Sequence, residues 1–200
     1  MSASLREPLT ARSVHLCVDM QRLFTDEGPW PTPWMTRVLP NVVRIAERFP
    51  ERTVFTRFIP PLRAEDMPGT WRRYYEKWQD TTRDTLNPGL LELVPPLAGL
   101  SPRATVIDKS RYSAFALTML SKYLQAREVD ALVVTGSETD VCVLATVLGA
   151  VDRGYRVVLV TDAICSGSDE GHDCLLTIYR NRYSEQIETA DTEAVLSAWS

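Results

Sequence analysis

The feature that most constrains the fold of this chain is an alternation of short apolar runs with segments of helical periodicity. The apolar runs are rich in β-branched residues, as is typical of strands buried on both faces of a sheet. Strands are predicted at 14–19, 53–58, 105–107, 131–135, 157–161 and 186–188. Helices are predicted at 35–49, 71–78, 117–126, 141–152, 170–182 and 192–199. Strands that alternate with helices favour a parallel sheet covered by helices on both faces.

Composition favours one domain over residues 1–200, with a Pro- and aromatic-rich insertion at about 60–103. The chain has 200 residues, of which 44% are hydrophobic, enough to fill one sizeable core. The net charge is −4 and the basic residues are scattered among acids, so no nucleic-acid partner is expected. No membrane-length apolar run and no signal-peptide core are present. We therefore expect no membrane partner and a cytoplasmic location.

Three residues with reactive side chains follow predicted strands. Asp19 ends the first, Lys109 comes just after the third, and Cys142 lies in the first turn of the helix after the fourth. Unpaired N–H groups and a partial positive charge at a helix start favour a thiolate, the nucleophilic form of cysteine. Each residue also has an ordinary explanation, as a turn-capping Asp, a solvated Lys or a buried structural Cys.

Four motifs occur in one order along the chain. They are Asp19-Met20-Gln21 with Phe24, Lys109 through Ser113 with Phe115, Gly136-x-x-Thr139-x-x-Cys142-Val143, and Gly154-Tyr155 followed by Asp162-Ala163. Together they resemble the isochorismatase-like cysteine hydrolase family, in its amidase branch, over about residues 13–190.

This resemblance implies a Rossmann-like three-layer α/β/α sandwich whose six-stranded parallel sheet has the order 3-2-1-4-5-6. It also implies a catalytic triad of Asp19, Lys109 and Cys142. The backbone N–H groups of Glu138 and Cys142 would form the oxyanion hole, next to a cis peptide between Ser137 and Glu138. Members of the family are often dimers or tetramers, so a homo-oligomer is expected.

A cysteine at position 142 favours hydrolysis of a C–N bond in a small amide through a thioester. The isochorismatase branch cleaves a vinyl ether and needs no thiol nucleophile. The nicotinamidase branch carries a metal site built from Asp and several His after its second strand. This chain has two histidines, His15 and His172, and neither lies in the segment directly after the second strand. We therefore expect neither a metal nor another cofactor.

Substrate contacts are expected from loops at the ends of the strands. The candidates are Gln21, Phe24, Arg57, Tyr75, Tyr112, Phe115 and Thr139. Arg57, or Arg72 and Arg73 in the insertion, would suit a substrate carboxylate, whereas Glu138 would suit a cationic or amide group. The aromatic residues between Trp71 and Trp78 fit either a lid over the substrate or packing of the insertion onto the sheet.

The chain has four cysteines without a C-x-x-C spacing, which fits neither a zinc site nor a disulfide scaffold. Cys17 and Cys174 are expected in the core, and Cys165 near the ligand crevice. Three other functions stay open: an isochorismatase-type hydrolase, a non-catalytic ligand-binding relative, and a thiol sensor with Cys165 as resolving thiol.

Overall fold

The computed structural model describes residues 5–200. The strands are β1 (Ser13–Val18), β2 (Thr53–Phe58), β3 (Thr105–Lys109), β4 (Ala131–Ser137), β5 (Arg156–Cys165) and β6 (Ile187–Ala190). The α-helices are α1 (Met35–Arg48), α2 (Thr70–Lys77), α3 (Pro95–Ala98), α4 (Leu120–Ala126), α5 (Leu144–Val151), α6 (Asp169–Arg182) and α7 (Thr192–Ala198). Short 3-10 turns lie at Arg22–Phe24, Pro50–Arg52, Ala64–Asp66, Gln79–Thr81, Pro88–Leu91 and Ser101–Arg103, and a π-helical turn spans Thr139–Val143.

The strands form one six-stranded sheet in the order β3-β2-β1-β4-β5-β6, and every neighbouring pair is parallel. This confirms the predicted fold class and strand order. From β1 the sheet grows toward β3 on one side, and from β4 it grows toward β6 on the other. The carboxyl ends of β1 and β4 therefore flank the crevice in which ligands of such sheets bind.

Helices cover both faces of the sheet because each face buries its own apolar cluster. One cluster joins the sheet to α1, α7 and the insertion, and includes Ile45, Leu97 and Val195. The other joins it to α4, α5 and α6, and includes Leu124, Val147 and Tyr179. The central strands are therefore buried on both sides, which explains why their sequences read as continuous apolar runs.

The helices after β5 and β6 begin at side-chain caps that the sequence provides. The Ser168 hydroxyl accepts the Gly171 N–H at the start of α6, and the Asp191 carboxylate accepts the Ala194 N–H at the start of α7. Such caps satisfy backbone N–H groups that have no partner within the helix.

Gly136 lets the ends of β1 and β4 approach closely. Its φ is +113°, and a Cβ built on it would lie 2.0 Å from the Val18 carbonyl oxygen. An L-residue with a side chain fits neither this conformation nor this space. The glycine therefore permits the close approach that brings the residue after Val18 next to the segment that carries Cys142.

The structure corrects several local predictions. Strand β5 extends to Cys165, and the helix predicted from residue 117 begins at Leu120, after Leu117 with φ +59°. Cys17 lies in the core as predicted, but Cys174 is exposed on α6. The long insertion holds short helical pieces. No helix within residues 5–200 has both the length and the apolar character needed to cross a membrane.

Candidate active site

Asp19 is the first residue after β1 and is fully buried. Its φ of +48° is in the left-handed region, which Asp tolerates better than most residues. The Thr56 hydroxyl donates a hydrogen bond of 2.6 Å to Oδ1, and the Asp19 N–H contacts the same hydroxyl at 3.2 Å. Thr56 on β2 thus fixes the carboxylate so that Oδ2 faces the end of the neighbouring strands.

Lys109 is the last residue of β3, and its side chain is completely buried. Its Nζ lies 2.6 Å from Asp19 Oδ2, 3.4 Å from Cys142 Sγ and 2.9 Å from the Arg111 carbonyl oxygen. The ammonium also lies 5.0 Å from the centre of the Phe58 ring. Lys109 therefore joins the carboxylate and the thiol within one buried cluster.

Cys142 lies in the π-helical turn before α5 and is 3% exposed. The N–H groups of Val141 and Val143 both donate to the Glu138 carbonyl oxygen, at 3.1 and 2.9 Å. A cis peptide joins Ser137 to Glu138, as the resemblance implied. Because π-helical turns are rare and concentrate at functional sites, this geometry supports the assignment of Cys142 to an active site.

Burial raises the pKa of the Cys142 thiol above its ordinary value. The nearby Lys109 ammonium lowers it and the Asp19 carboxylate raises it, and the net direction is upward. The expected preference for a thiolate at the helix start is therefore outweighed by burial. Nucleophilic attack from this site requires a base that removes the thiol proton.

Lys109 stays cationic in this environment. Burial disfavours its ammonium, but the Asp19 carboxylate and the Cys142 sulfur outweigh burial, so that its pKa is raised. The resting site thus combines a protonated thiol with a lysine–aspartate ion pair.

Aromatic side chains of the insertion pack against one another and against Tyr112, which follows β3. The ring centres of Trp71 and Tyr112 are 4.8 Å apart, and Trp71 also packs against Tyr74 at 5.6 Å. Burial is the main cause that raises the pKa of the Tyr74, Tyr75 and Tyr112 phenols. The roles of Tyr75 and Tyr112 as substrate contacts stay predictions.

Arg57 forms ion pairs within the chain, and its predicted contact with a substrate carboxylate stays a prediction. The register of β2 and β3 places Arg57 beside Asp108, and the two form hydrogen bonds of 2.8 and 3.1 Å. A third bond of 2.9 Å reaches Glu92. The guanidinium is therefore neutralised by two carboxylates of the chain itself. Arg72 and Arg73 are exposed on α2.

Gln21, Phe115 and Thr139 also make contacts within the chain, and their roles as substrate contacts stay predictions. Gln21 bonds to the backbone of Phe58 through both its amide oxygen and its amide nitrogen, and so clamps the end of β2. Phe115 packs against α5 on the opposite face from the insertion, within 3.1 Å of a Cβ built on Gly149. Thr139 Oγ1 lies 2.9 Å from His172 Nδ1 and ties the π turn to α6.

Phe24 is buried and its ring centre lies 6.1 Å from that of Trp30. Its contact with a substrate stays a prediction. Trp30 in turn faces Phe58, Tyr74 and Trp78 at ring-centre distances of 6.1 to 6.4 Å. The loop at residues 29–34 therefore contributes Trp30 to a cluster of aromatic rings, whereas Trp34 is 40% exposed.

The hydrogen bonds of the two histidines go to threonine hydroxyls. His15 is buried between Thr53 and Thr135, and burial lowers its pKa to about 3, so it is neutral. No group of three or more His, Cys, Asp or Glu side chains suited to a metal ion occurs in the described part of the chain.

Sequence reasoning missed Thr56. Thr56 is a polar residue within the apolar run of β2, the strand next to the one that Asp19 follows. This position was the only sign in the sequence of its hydrogen bond to Asp19.

We expect Thr56→Val, which removes the hydroxyl but keeps the shape, to lower kcat about tenfold, because one hydrogen bond to a carboxylate is lost. Thr56→Ser should restore most of the rate.

Steady-state kinetics as a function of pH would check this positioning role. A change in kcat and in its pH profile, with KM nearly constant, is the expected outcome. Equal loss in the valine and serine variants would show that the hydroxyl does not orient Asp19.

Comparison with known proteins agrees with this geometry. The isochorismatase domain family matches residues 13–191. An N-carbamoylsarcosine amidase of an Arthrobacter species is 30% identical over 158 residues, which cover 74% of this chain and 57% of that protein. A probable inactive nicotinamidase of Arabidopsis thaliana is 30% identical over 175 residues, covering 83% and 87%.

The chain thus spans little more than half the length of the amidase, and 47% of an isochorismatase family protein of Bacillus subtilis. A crystal structure of a cysteine hydrolase from Pseudomonas syringae pv. phaseolicola superposes with a TM-score of 0.81 and 23% identity, covering 98% of each chain, which supports the fold. The protein belongs to the isochorismatase domain family, a family of hydrolases that includes amidases.

Proposed function

We propose that this protein is a cysteine-dependent amidohydrolase that cleaves the C–N bond of a small amide and releases ammonia or an amine. The observation that carries the proposal is the position of Lys109 Nζ, 2.6 Å from Asp19 and 3.4 Å from Cys142 Sγ in a buried cluster. An acid, a cation and a thiol in contact are the groups that a thioester mechanism requires. A ligand-binding role would require none of these contacts.

Attack on the amide begins with transfer of the Cys142 proton to Asp19. The sulfur then bonds to the carbonyl carbon and the carbonyl oxygen becomes an oxyanion. The backbone N–H groups of Glu138 and Cys142 would stabilise that oxyanion at the start of the π turn. Lys109 contacts both groups, so its ammonium stabilises the negative charge first on the carboxylate and then on the thiolate.

Collapse of the tetrahedral intermediate breaks the C–N bond. Protonated Asp19 gives its proton to the leaving nitrogen, so ammonia or an amine departs and an acyl thioester on Cys142 is left. Water then loses a proton to Asp19 and attacks the thioester carbonyl. The C–S bond breaks, the proton returns to sulfur, and the carboxylic acid is released. Every step uses side chains of this chain and no cofactor.

Ammonia release and intact mass measured together test this proposal. Small primary amides of matched length and different charge, such as 4-aminobutanamide, pentanamide and 4-carbamoylbutanoate, are mixed with the protein and quenched in acid. We expect ammonia from at least one amide and an acyl adduct on the peptide that contains Cys142. Absence of ammonia and adduct across the set, or equal ammonia release by a Cys142→Ala variant, would contradict the proposal.

A further inference from the structure

His172 is a titratable side chain that contacts the nucleophile's turn and has no role in the triad. It lies at the start of α6 and is half-buried. Among residues 5–200, the one hydrogen bond of its ring joins Nδ1 to Thr139 Oγ1 at 2.9 Å. The ring also lines a cavity of about 80 Å³, so packing alone does not hold it in place. Thr139 is fully buried and begins the π-helical turn that carries Cys142.

The next residue of the turn has its own attachment to the start of α6. The Ser166 hydroxyl donates a hydrogen bond of 2.5 Å to Asp140 Oδ1, and the Ser168 N–H donates to the Ser166 hydroxyl at 3.1 Å. The other carboxylate oxygen, Asp140 Oδ2, would lie 2.5 Å from a Cβ built on Gly171. Two consecutive side chains, Thr139 and Asp140, therefore fasten the π turn to groups that lie outside it.

The shape of this turn sets the direction of its backbone N–H groups. The Glu138 carbonyl oxygen accepts the N–H groups of both Val141 and Val143, at 3.1 and 2.9 Å. In the described part of the chain, the Cys142 N–H between them has no backbone acceptor outside the turn. In the proposed amide hydrolysis, this N–H and that of Glu138 stabilise the oxyanion, and such stabilisation depends on how accurately the donors are placed.

We propose that His172 is a positioning residue that, through Thr139, holds the π turn so that the N–H groups of Glu138 and Cys142 converge on the oxyanion. The inference rests on the proposed amide hydrolysis and adds a residue to its machinery. His172 acts through Thr139 and not through contact with the substrate. Because the bond between Asp140 and Ser166 does not involve the imidazole, a change at His172 frees one attachment of the turn and leaves the other.

Two reactions of the same sulfur test this role without knowledge of the substrate. Acylation by p-nitrophenyl acetate develops an oxyanion, whereas alkylation by iodoacetamide does not. Acylation of the full-length protein is the rate of p-nitrophenolate release minus that of Cys142→Ala. Alkylation of Cys142 is mapped by mass spectrometry against the exposed Cys174. We expect His172→Phe, which keeps a flat ring near Trp34, to lower acylation about tenfold and to leave alkylation within about twofold.

Conservative variants separate the hydrogen bond from the bulk of the ring. The amide of His172→Asn lies as far from the backbone as Nδ1 and should restore most of the acylation rate, whereas the amide of His172→Gln lies further out and should not. Thr139→Val should reproduce the loss of His172→Phe, and the double variant should lose no more than either alone. Asp173→Asn is the matched control, because Asp173 is exposed beside His172 and lines the same cavity.

The inference is overturned if His172→Phe keeps the wild-type ratio of acylation to alkylation, or if both reactions slow equally, as general disorder of the site would cause. It is also overturned if asparagine restores no more than glutamine, if the losses at His172 and Thr139 add, or if the ester never acylates wild-type Cys142. Failure of the proposed function is a different result, because it shows as missing ammonia from the amide set in the wild-type protein.

Discussion

Replacing Cys142 with alanine is expected to abolish amide hydrolysis, with kcat lowered by at least about 10⁴-fold. The thiol is the group that forms the covalent intermediate, and the 3.4 Å contact with Lys109 has no substitute in alanine. Loss of a nucleophile cannot be compensated by the oxyanion hole, which retains only a small part of the acceleration. Ammonia release and the acyl adduct should disappear together.

Cys165→Ala is the matched control for this variant. Cys165 is also buried, and burial raises the pKa of its thiol to about 11, but it lies at the end of β5 and contacts Thr32. We expect kcat of the Cys165→Ala variant to stay within a few fold of the wild-type value. Comparable losses in both variants would contradict the assignment of the nucleophile to Cys142 alone. An active Cys142→Ala protein would exclude thioester chemistry.

Replacing Asp19 with asparagine is expected to lower kcat by about 10⁴-fold while making Cys142 more reactive toward a neutral alkylating reagent. Asparagine fits the same space and can accept the Thr56 hydrogen bond, but it cannot take the thiol proton or return it to the leaving nitrogen. The Asp19 carboxylate raises the pKa of Cys142, and Lys109 lowers it. Without the carboxylate, the Lys109 ammonium stabilises the thiolate alone.

The direction of the change in Cys142 alkylation distinguishes a catalytic base from a residue with only a structural role. Removal of a group that raises the thiol pKa extends the thiolate to lower pH, whereas hydrolysis fails because no proton shuttle is left. Asp108→Asn is the control, since Asp108 lies at the same sheet edge but is exposed and paired with Arg57. Asp19→Asn with wild-type hydrolysis, or with unchanged alkylation, would contradict the role of Asp19.

The strand ends were predictable from sequence because each depends on a local pattern, whereas the grouping of Asp19, Lys109 and Cys142 came from the resemblance to a family. Apolar runs that end in Asp19 and Lys109 gave the strands, and parallel strands bring their carboxyl ends to one edge. The order of the strands came from the resemblance, because spacing along the chain does not encode which strands are neighbours. The close approach at Gly136 was equally invisible, since only the structure shows that its Cβ would meet Val18.

Residues that depend on cross-strand neighbours were harder to assign. Arg57 appeared available for a substrate carboxylate, but the pairing of β2 with β3 places Asp108 directly beside it. The reactive state of Cys142 was also beyond sequence, because a helix start favours a thiolate while complete burial favours the thiol. Burial wins here, since it is the largest influence on the pKa of that thiol.

The aromatic residues of α2 pack the insertion onto the core. Tyr75 is fully buried in the core cluster, and Trp71 and Tyr74 are half-buried and pack against the same cluster. The i, i+4 spacing of Trp71 and Tyr75 is typical of such an apolar helix face. A lid over the substrate stays a prediction.

The pH profile of Cys142 alkylation by iodoacetamide, in wild type, Asp19→Asn and Lys109→Met, tests the central claim most directly. Cys174 in the same protein is the reference thiol. If Asp19, Lys109 and Cys142 form one assembled site, the two variants change the midpoint of the Cys142 alkylation profile in opposite directions. Asp19→Asn, which lacks the carboxylate, should lower the midpoint by about one pH unit or more, and Lys109→Met, which lacks the ammonium, should raise it. Identical profiles in the three proteins would contradict it, because Cys142 would then be a buried thiol uncoupled from its two neighbours.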